Sequence, residues 1–134
     1  MADQRCAAEV ISFRDPAGNR VEAFQGGQIA DEPFRPARHI GGFRTGTQGM
    51  GHAVLIMPEI EAALTFYRDL LGFRITDFMG PPVSLYFMHV NSRHHSLAIA
   101  QGPRNRMHHL MMEFYSLEML ARATILRSRK VESW

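Results

Sequence analysis

Histidine is the residue type best able to support chemistry in this 134-residue sequence, which contains seven of them. Two of these, His52 and His109, each open an apolar, strand-like run that a helical pattern follows. If these two similar stretches pack about a pseudo-twofold axis, the two side chains face one cleft. Two imidazoles and one carboxylate form the ligand set of mononuclear iron(II) oxygenases. These three ligands leave the remaining coordination positions of the iron open. The spacing alone leaves both a metal site and an ordinary structural role for these histidines open.

The segment that carries His52 predicts a β-α-β-β-β unit over residues 51–100. Gly51–Met57 is an apolar run that ends at Pro58, and Glu59–Leu71 places apolar residues on one helical face before Gly72. Three further apolar runs predict strands at 73–78, 83–90 and 95–100. The segment that carries His109 predicts a strand at 107–115 and a helix at 116–130, which is the start of a second unit.

The N-terminal region has a different organisation. Strand-like runs at 10–14 and 20–24 flank a segment with Pro16, Gly18 and Asn19, which predicts a β-hairpin. Residues 26–50 are rich in Gly, Pro, Thr and Arg without periodicity, which is typical of a linker. We therefore predict a hairpin over 1–25, a linker over 26–50 and the main domain over 51–134.

Composition excludes several classes of protein. A hydrophobic content of 46% allows a core, and a net charge of +2 from scattered residues gives no case for nucleic-acid binding. No stretch approaches the ~20 apolar residues of a membrane span. The single cysteine, Cys6, forms no internal disulfide, and the N-terminus lacks a signal peptide, so we expect a cytoplasmic location.

Four motifs give the sequence a specific family resemblance. The motifs are Gly49-Met50-Gly51-His52, Phe66-Tyr67-Arg68-Asp69-Leu70-Leu71-Gly72-Phe73, Phe87 through Ala98, and His108-His109. They closely resemble the catalytic domain of type I extradiol ring-cleavage dioxygenases, in particular the 2,3-dihydroxybiphenyl 1,2-dioxygenases of the vicinal oxygen chelate superfamily. The run with Asn91, Arg93 and the pair His94-His95 is the most specific of them.

The resemblance implies an α+β fold made of βαβββ modules, the vicinal oxygen chelate (glyoxalase/bleomycin resistance/dioxygenase) fold. It implies cleavage of a catechol-type aromatic, such as 2,3-dihydroxybiphenyl, with Fe(II) and O2, in aromatic catabolism; Mn(II) suits the same ligands. His52 and His109 match the iron ligands, and His95 matches an acid/base histidine. Positions that line an apolar O2 pocket match three further residues, Val54, Phe87 and Ala98.

The sequence departs from the family pattern at the third ligand. The family's carboxylate ligand, and a His and a Tyr that contact substrate, belong to a region that has no counterpart here, so the chain resembles a dioxygenase truncated at both ends. Glu22 occupies the equivalent position in its own hairpin and is one candidate for the carboxylate, from the same chain or from a dimer partner. Glu113 is a second candidate, farther along the strand from His109.

Three classes of function stay open. The chain can be an extradiol dioxygenase acting on a small aromatic diol and O2. It can be a glyoxalase-like isomerase, although the run Asn91–Ala98 resembles the dioxygenases specifically. It can also be an inactive dioxygenase fragment or a metal-binding module that lacks the carboxylate. Unpaired strand edges at both ends predict a homo-oligomer.

Overall fold

The computed structural model describes residues 2–37 and 41–131. Residues 1, 38–40 and 132–134, which belong to the predicted hairpin, linker and main domain, lie outside the described residues. The predicted strands and helices are all found, with ends shifted by a few residues. The elements are β1 (Ala7–Arg14), β2 (Arg20–Gly27), β3 (Gly51–Met57), α1 (Ile60–Leu64), β4 (Arg74–Met79), β5 (Leu85–His89), β6 (Leu97–Gln101), β7 (Arg106–Met112) and α2 (Leu117–Val131).

Strands β3 to β7 form one five-stranded sheet in the order β4-β5-β6-β3-β7. The pair β3 and β6 is parallel, and every other neighbouring pair is antiparallel. The crossover through α1 makes β4 run in the direction of β3, and the two antiparallel pairs β4-β5 and β5-β6 then give β6 the same direction. Strands β1 and β2 form a separate two-stranded sheet. The βαβββ unit predicted over 51–100 is therefore confirmed, and β7 adds the first strand of the second unit beside β3.

Alternation along the strands divides the main sheet into two faces. One face packs against α1 and the π-helical turn Thr65–Leu70 that continues it. The core between them consists of the buried residues Met57, Ile60, Ala63, Leu64, Tyr67, Met88, Leu97 and Ile99. Because successive side chains of a strand point to opposite faces, the other positions of β3, β5 and β6 face away from this core.

The N-terminal hairpin is attached to the main sheet through a buried carboxylate. Asp15 is only 5% exposed, and it accepts hydrogen bonds from the backbone N–H groups of Ala17 and Asn19 and from the Asn19 amide. The Tyr67 hydroxyl donates to its Oδ2 at 2.8 Å. Asn105, before β7, donates to the carbonyl of Ala17 and to the side chain of Asn19. These bonds compensate the burial of the charge and hold the hairpin tip against the core.

Within residues 2–37 and 41–131, no helix has the length and the apolar character needed to cross a bilayer.

The Asp15–Tyr67 bond makes a testable contribution to stability. Tyr67→Phe removes one donor from a buried carboxylate, and we expect a loss of roughly 1.5–3 kcal/mol in the free energy of unfolding. Urea denaturation followed by circular dichroism measures it. Tyr86→Phe is the matched control, because no hydrogen-bond partner of its hydroxyl lies within the described residues. Equal losses in the two variants would contradict a specific role for the bond.

Candidate metal centre

Strands β3 and β7 bring the two predicted ligand histidines into contact. In their antiparallel register Val54 lies opposite His109 and His52 lies opposite Met111. His52 and His109 are therefore diagonal neighbours on one face of the sheet, within reach of each other. Their Nε2 atoms are 3.1 Å apart. The expectation that both histidines face one cleft is met through direct pairing of the two strands that carry them.

A bulge in β7 adds a further histidine to this face. The register shifts between Val54 and Leu55, which pair with His109 and Met107, so His108 is the extra residue. His108 borders the same cavity as His109, and the Nδ1 atoms of the two rings are 2.7 Å apart. No role for His108 was predicted from the sequence; the bulge brings it to the cavity, although strict alternation would turn neighbouring side chains to opposite faces.

His95 lies against the first ligand histidine. Its ring centroid is 4.2 Å from that of His52 and 4.9 Å from that of Phe87. Its Nδ1 is 3.0 Å from the Nδ1 of the neighbouring His94. An imidazole in this position can donate or accept a proton at a group bound beside His52.

The histidines stand at one side of a cavity of about 460 Å³ on the face of the sheet opposite α1. Most of the wall is apolar, and His108 and His109 are exposed. The three predicted pocket residues Val54, Phe87 and Ala98 all belong to it. The complete lining is His52, Val54, Ile56, Val83, Leu85, Phe87, His95, Ala98, Ala100, Gln101, His108 and His109.

The environment keeps the imidazoles of His52 and His95 neutral at pH 7. Burial, and then the neighbouring charges of His95, His109 and Arg93, lower the pKa of His52 to about 4. Burial, followed by the charges of His94, Arg93 and His109, also lowers the pKa of His95. A neutral imidazole has a free lone pair, which is the form that binds a metal ion.

The geometry fits two nitrogen ligands of one transition-metal ion. Two nitrogen atoms that each lie about 2.1 Å from one ion, with an angle of roughly 90° at the ion, are about 3 Å apart. The 3.1 Å between the Nε2 atoms of His52 and His109 agrees with this spacing. The buried Nδ1 of His52 has no hydrogen-bond partner in the described residues.

The described residues provide no third ligand. Among residues 2–37 and 41–131, no group of three His, Cys, Asp or Glu side chains is placed to hold a metal ion. The single-chain arrangement in which Glu22 reaches the two histidines is not found. Instead its carboxylate pairs with Arg5 at 2.7 Å and with Arg20 at 2.6 Å, because β1 and β2 form their own sheet. These partners lower the pKa of Glu22, with the hydrogen bond from Arg5 as the main cause.

Glu113 is also placed outside the centre. Its carboxylate lies 3.0 Å from the Arg93 guanidinium and 3.4 Å from that of Arg44. It follows β7 directly, beyond the end of the strand that carries His109. Alternation puts the two residues on one face, but the carboxylate is bound by arginines and does not line the cavity.

The lowered pKa of His52 predicts a pH dependence of folding in the metal-free protein. Between the ordinary value of 6.5 and about 4, the unfolded chain binds more protons at this residue than the folded chain. Stability therefore falls as pH decreases through this window. We expect His52→Gln to reduce the pH dependence of the free energy of unfolding, measured by urea titrations between pH 4 and 7. His89→Gln, outside the cavity, is the control, and a profile for His52→Gln that matches wild type would contradict the shift.

Comparisons with known proteins agree with this geometry. The chain is 43% identical over 126 residues to a biphenyl-2,3-diol 1,2-dioxygenase of Paraburkholderia xenovorans, covering 88% of this chain and 42% of the relative. It is 44% identical over 119 residues to an iron-dependent extradiol dioxygenase of Rhodococcus jostii, covering 78% and 39%. A crystal structure of a halotolerant catechol dioxygenase superposes with a TM-score of 0.87 at 36% identity, covering 98% of this chain and 45% of that one.

The chain thus spans less than half the length of these relatives. The model of one family, described as the Glyoxalase/Bleomycin resistance protein/Dioxygenase superfamily, matches residues 49–131, which include all of β3 to β7 and the four histidines that line the cavity. The chain belongs to the Glyoxalase/Bleomycin resistance protein/Dioxygenase superfamily.

Proposed function

We propose that this chain provides the histidine ligands and the apolar pocket of an extradiol dioxygenase that cleaves a catechol-type aromatic with Fe(II) and O2. The observation that carries the proposal is the contact between two imidazoles, His52 and His109, at one side of an apolar cavity. The names of the relatives in Paraburkholderia xenovorans and Rhodococcus jostii, which include an aromatic diol and an iron-dependent reaction, support it. A cytoplasmic location remains a prediction.

Each residue of the centre has a distinct role in this proposal. His52 and His109 hold the iron through Nε2, and the bound iron would supply a common coordination site for the diol and O2. His95 stacks on His52 and moves a proton to or from a hydroxyl of the substrate. In the net reaction, one ring carbon–carbon bond beside the diol breaks and both oxygen atoms of O2 enter the product.

The apolar wall determines what can lie beside the histidines. Val54, Phe87 and Ala98 line the cavity together with the histidines, and Leu85 and Val83 add to the apolar wall. An aromatic ring or O2 loses little on leaving water for such a surface, whereas a charged metabolite would lose its hydration. The cavity thus favours a flat, weakly polar diol.

Loss of one ligand histidine should abolish the activity. We expect anaerobic reconstitution with Fe(II), followed by 2,3-dihydroxybiphenyl and air, to give a yellow ring-fission product. His52→Ala and His109→Ala should each weaken iron binding by more than about 100-fold. This loss exceeds the roughly 10- to 100-fold effect that is usual for mutations of residues that only support a metal ligand. His89→Ala, which alters a histidine outside the cavity, should bind iron as wild type does. Absence of iron binding by the wild-type chain would disprove the proposal.

A second candidate function is a metal-binding module without dioxygenase activity. The absence of a carboxylate beside the histidines in residues 2–37 and 41–131 favours it. The same experiment distinguishes the two functions, because such a module binds iron through His52 and His109 but forms no coloured product.

We also propose that the chain forms a homo-oligomer. Strand β7 pairs only with β3 in the described part of the chain, and its other edge is free to pair with a second molecule. Exposed apolar side chains lie along this strand, with Met107 62% and Leu110 49% exposed. A second copy can supply the missing carboxylate if its Glu22 reaches the centre.

Glu22→Gln tests that source of the carboxylate. In the structure, Arg5 and Arg20 already bind the Glu22 carboxylate, so we expect iron affinity to stay within about twofold of wild type. Loss of these ion pairs should have little effect on the fold, because exposed ion pairs contribute little to stability. Titration of the metal-free variant with Fe(II) measures the affinity. Glu9→Gln, in the same hairpin, is the control. A loss above about tenfold in Glu22→Gln alone would instead place Glu22 of a second copy at the centre.

A further inference from the structure

A buried arginine ties together the chain segments that carry the site histidines. Arg93 lies in the loop between β5 and β6, and its side chain is 9% exposed. Its guanidinium donates to the carbonyl of Gln48 at 3.2 Å, to the carbonyl of Gly49 at 3.3 Å and to the carboxylate of Glu113 at 3.0 Å. The side chain of Asn91 supports it by accepting from the Arg93 backbone N–H and donating to the Gln48 carbonyl. We call the guanidinium and its three acceptors the Arg93 clamp.

Each part of the Arg93 clamp is close in sequence to a histidine of the centre. The carbonyls of residues 48 and 49 come just before β3, which carries His52. Glu113 directly follows β7, which carries His109. Arg93 itself is two residues before His95, and no strand pairing joins its loop to β7. One side chain therefore connects the three segments whose relative position sets the distances among the histidines.

We infer that Arg93 is a positioning residue, which holds His52, His109 and His95 at the spacing that metal binding and proton transfer require. The inference rests on the proposed function and assigns a role that sequence reasoning did not give to this residue. Arg93 does not line the cavity, so it positions the histidines by holding the start of β3 and the end of β7 and not by contact with a bound ligand.

Arginine suits this role better than other residues. Its planar guanidinium carries five donors in a fixed arrangement, so it can bind two carbonyls and a carboxylate at the same time. A lysine ammonium is a compact charge on a flexible stem and cannot fix three acceptors in one plane. Glu113 neutralises the buried charge, and Arg44 binds the same carboxylate from the exposed side. Arg44 contacts neither Gln48 nor Gly49, so it provides a matched comparison.

The test compares Arg93→Met with Arg44→Met in the full chain. In metal-free protein, two-dimensional NMR of the ring nitrogens of the histidines reports the contacts of His52, His95 and His109. We expect these signals to shift in Arg93→Met and to stay at their wild-type positions in Arg44→Met. Anaerobic titration with Fe(II) alone should show a 10- to 100-fold loss of affinity for Arg93→Met, the usual effect of groups that orient metal ligands, and less than about threefold for Arg44→Met.

Arg93→Lys separates positioning from simple charge balance. It keeps a positive charge beside Glu113, so we expect a thermal midpoint nearer to wild type than that of Arg93→Met. Its iron affinity should remain low, because one ammonium cannot fix both strands. Recovery of full affinity in Arg93→Lys would overturn the inference.

Two further outcomes are decisive. If Arg93→Met does not fold, Glu113→Met replaces it, since this side chain keeps a similar length and loses both acceptors. Shifted ring signals support the inference, and unchanged ones overturn it. If wild type binds no iron, the proposed function fails, and the ring signals of the metal-free variants still decide on Arg93. A lowered thermal midpoint in Arg93→Met with unchanged ring signals and unchanged iron affinity would show a purely structural residue.

Discussion

The antiparallel pairing of β3 with β7 is the interaction on which the centre depends. It sets the diagonal relation between His52 and His109 and thus the 3.1 Å between their Nε2 atoms. Gly51 shows how close the strands approach, because a Cβ at this position, with φ of 157°, would collide with the backbone of Met111. A slip of one residue in this register would turn one histidine to the opposite face of the sheet. The bulge at His108 then sets the pairing of the β3 residues that follow Val54.

The rest of the fold supports this pairing from the opposite face of the sheet. Met57, Met88 and Ile99 are almost completely buried between the sheet and α1. Their neighbours in the same strands line the cavity, so a change in the core shifts the same backbone that carries the wall. Close packing makes such a sheet stiff, which suits a centre that requires two nitrogen atoms at a defined distance. The hairpin, attached through Asp15 to Tyr67, adds to the stability of this core.

Much of the fold could be predicted from the sequence, because its signals are local. Alternation and helical spacing identify the strands and α1, and Gly72 marks where the helical segment ends. The meeting of His52 with His109 could be predicted from the repeated strand-helix order. The bulge at His108 could not, since it depends on how β7 fits against β3 and not on the composition of either strand.

Two carboxylates considered from the sequence lie away from the histidines and beside arginines. Glu22 was a candidate because it occupies an equivalent position in a repeat, and within one chain it stays in the hairpin, paired with Arg5 and Arg20. Its role in a second copy remains a prediction. Glu113 was the weaker candidate, on the face of His109 but farther along the strand, and Arg93 binds it. The pairs with Arg5 and Arg93 join residues far apart in sequence, and such pairing leaves no periodic signal in a single sequence.

Charge balance limits how a centre with two histidine ligands can hold a metal ion. Glu113 neutralises Arg93, and no acidic side chain lines the cavity in the part of the chain that the structure describes. A divalent cation held only by His52 and His109 would keep its full charge beside an apolar wall, which is unfavourable. Under the proposed function, a diol that loses protons on binding would supply negative charge to the same place, and His95 beside His52 would accept a proton. If the protein compensates the positive charge of the cation only weakly, the bound diol would strengthen binding of the cation, and the bound cation would strengthen binding of the diol by the same factor.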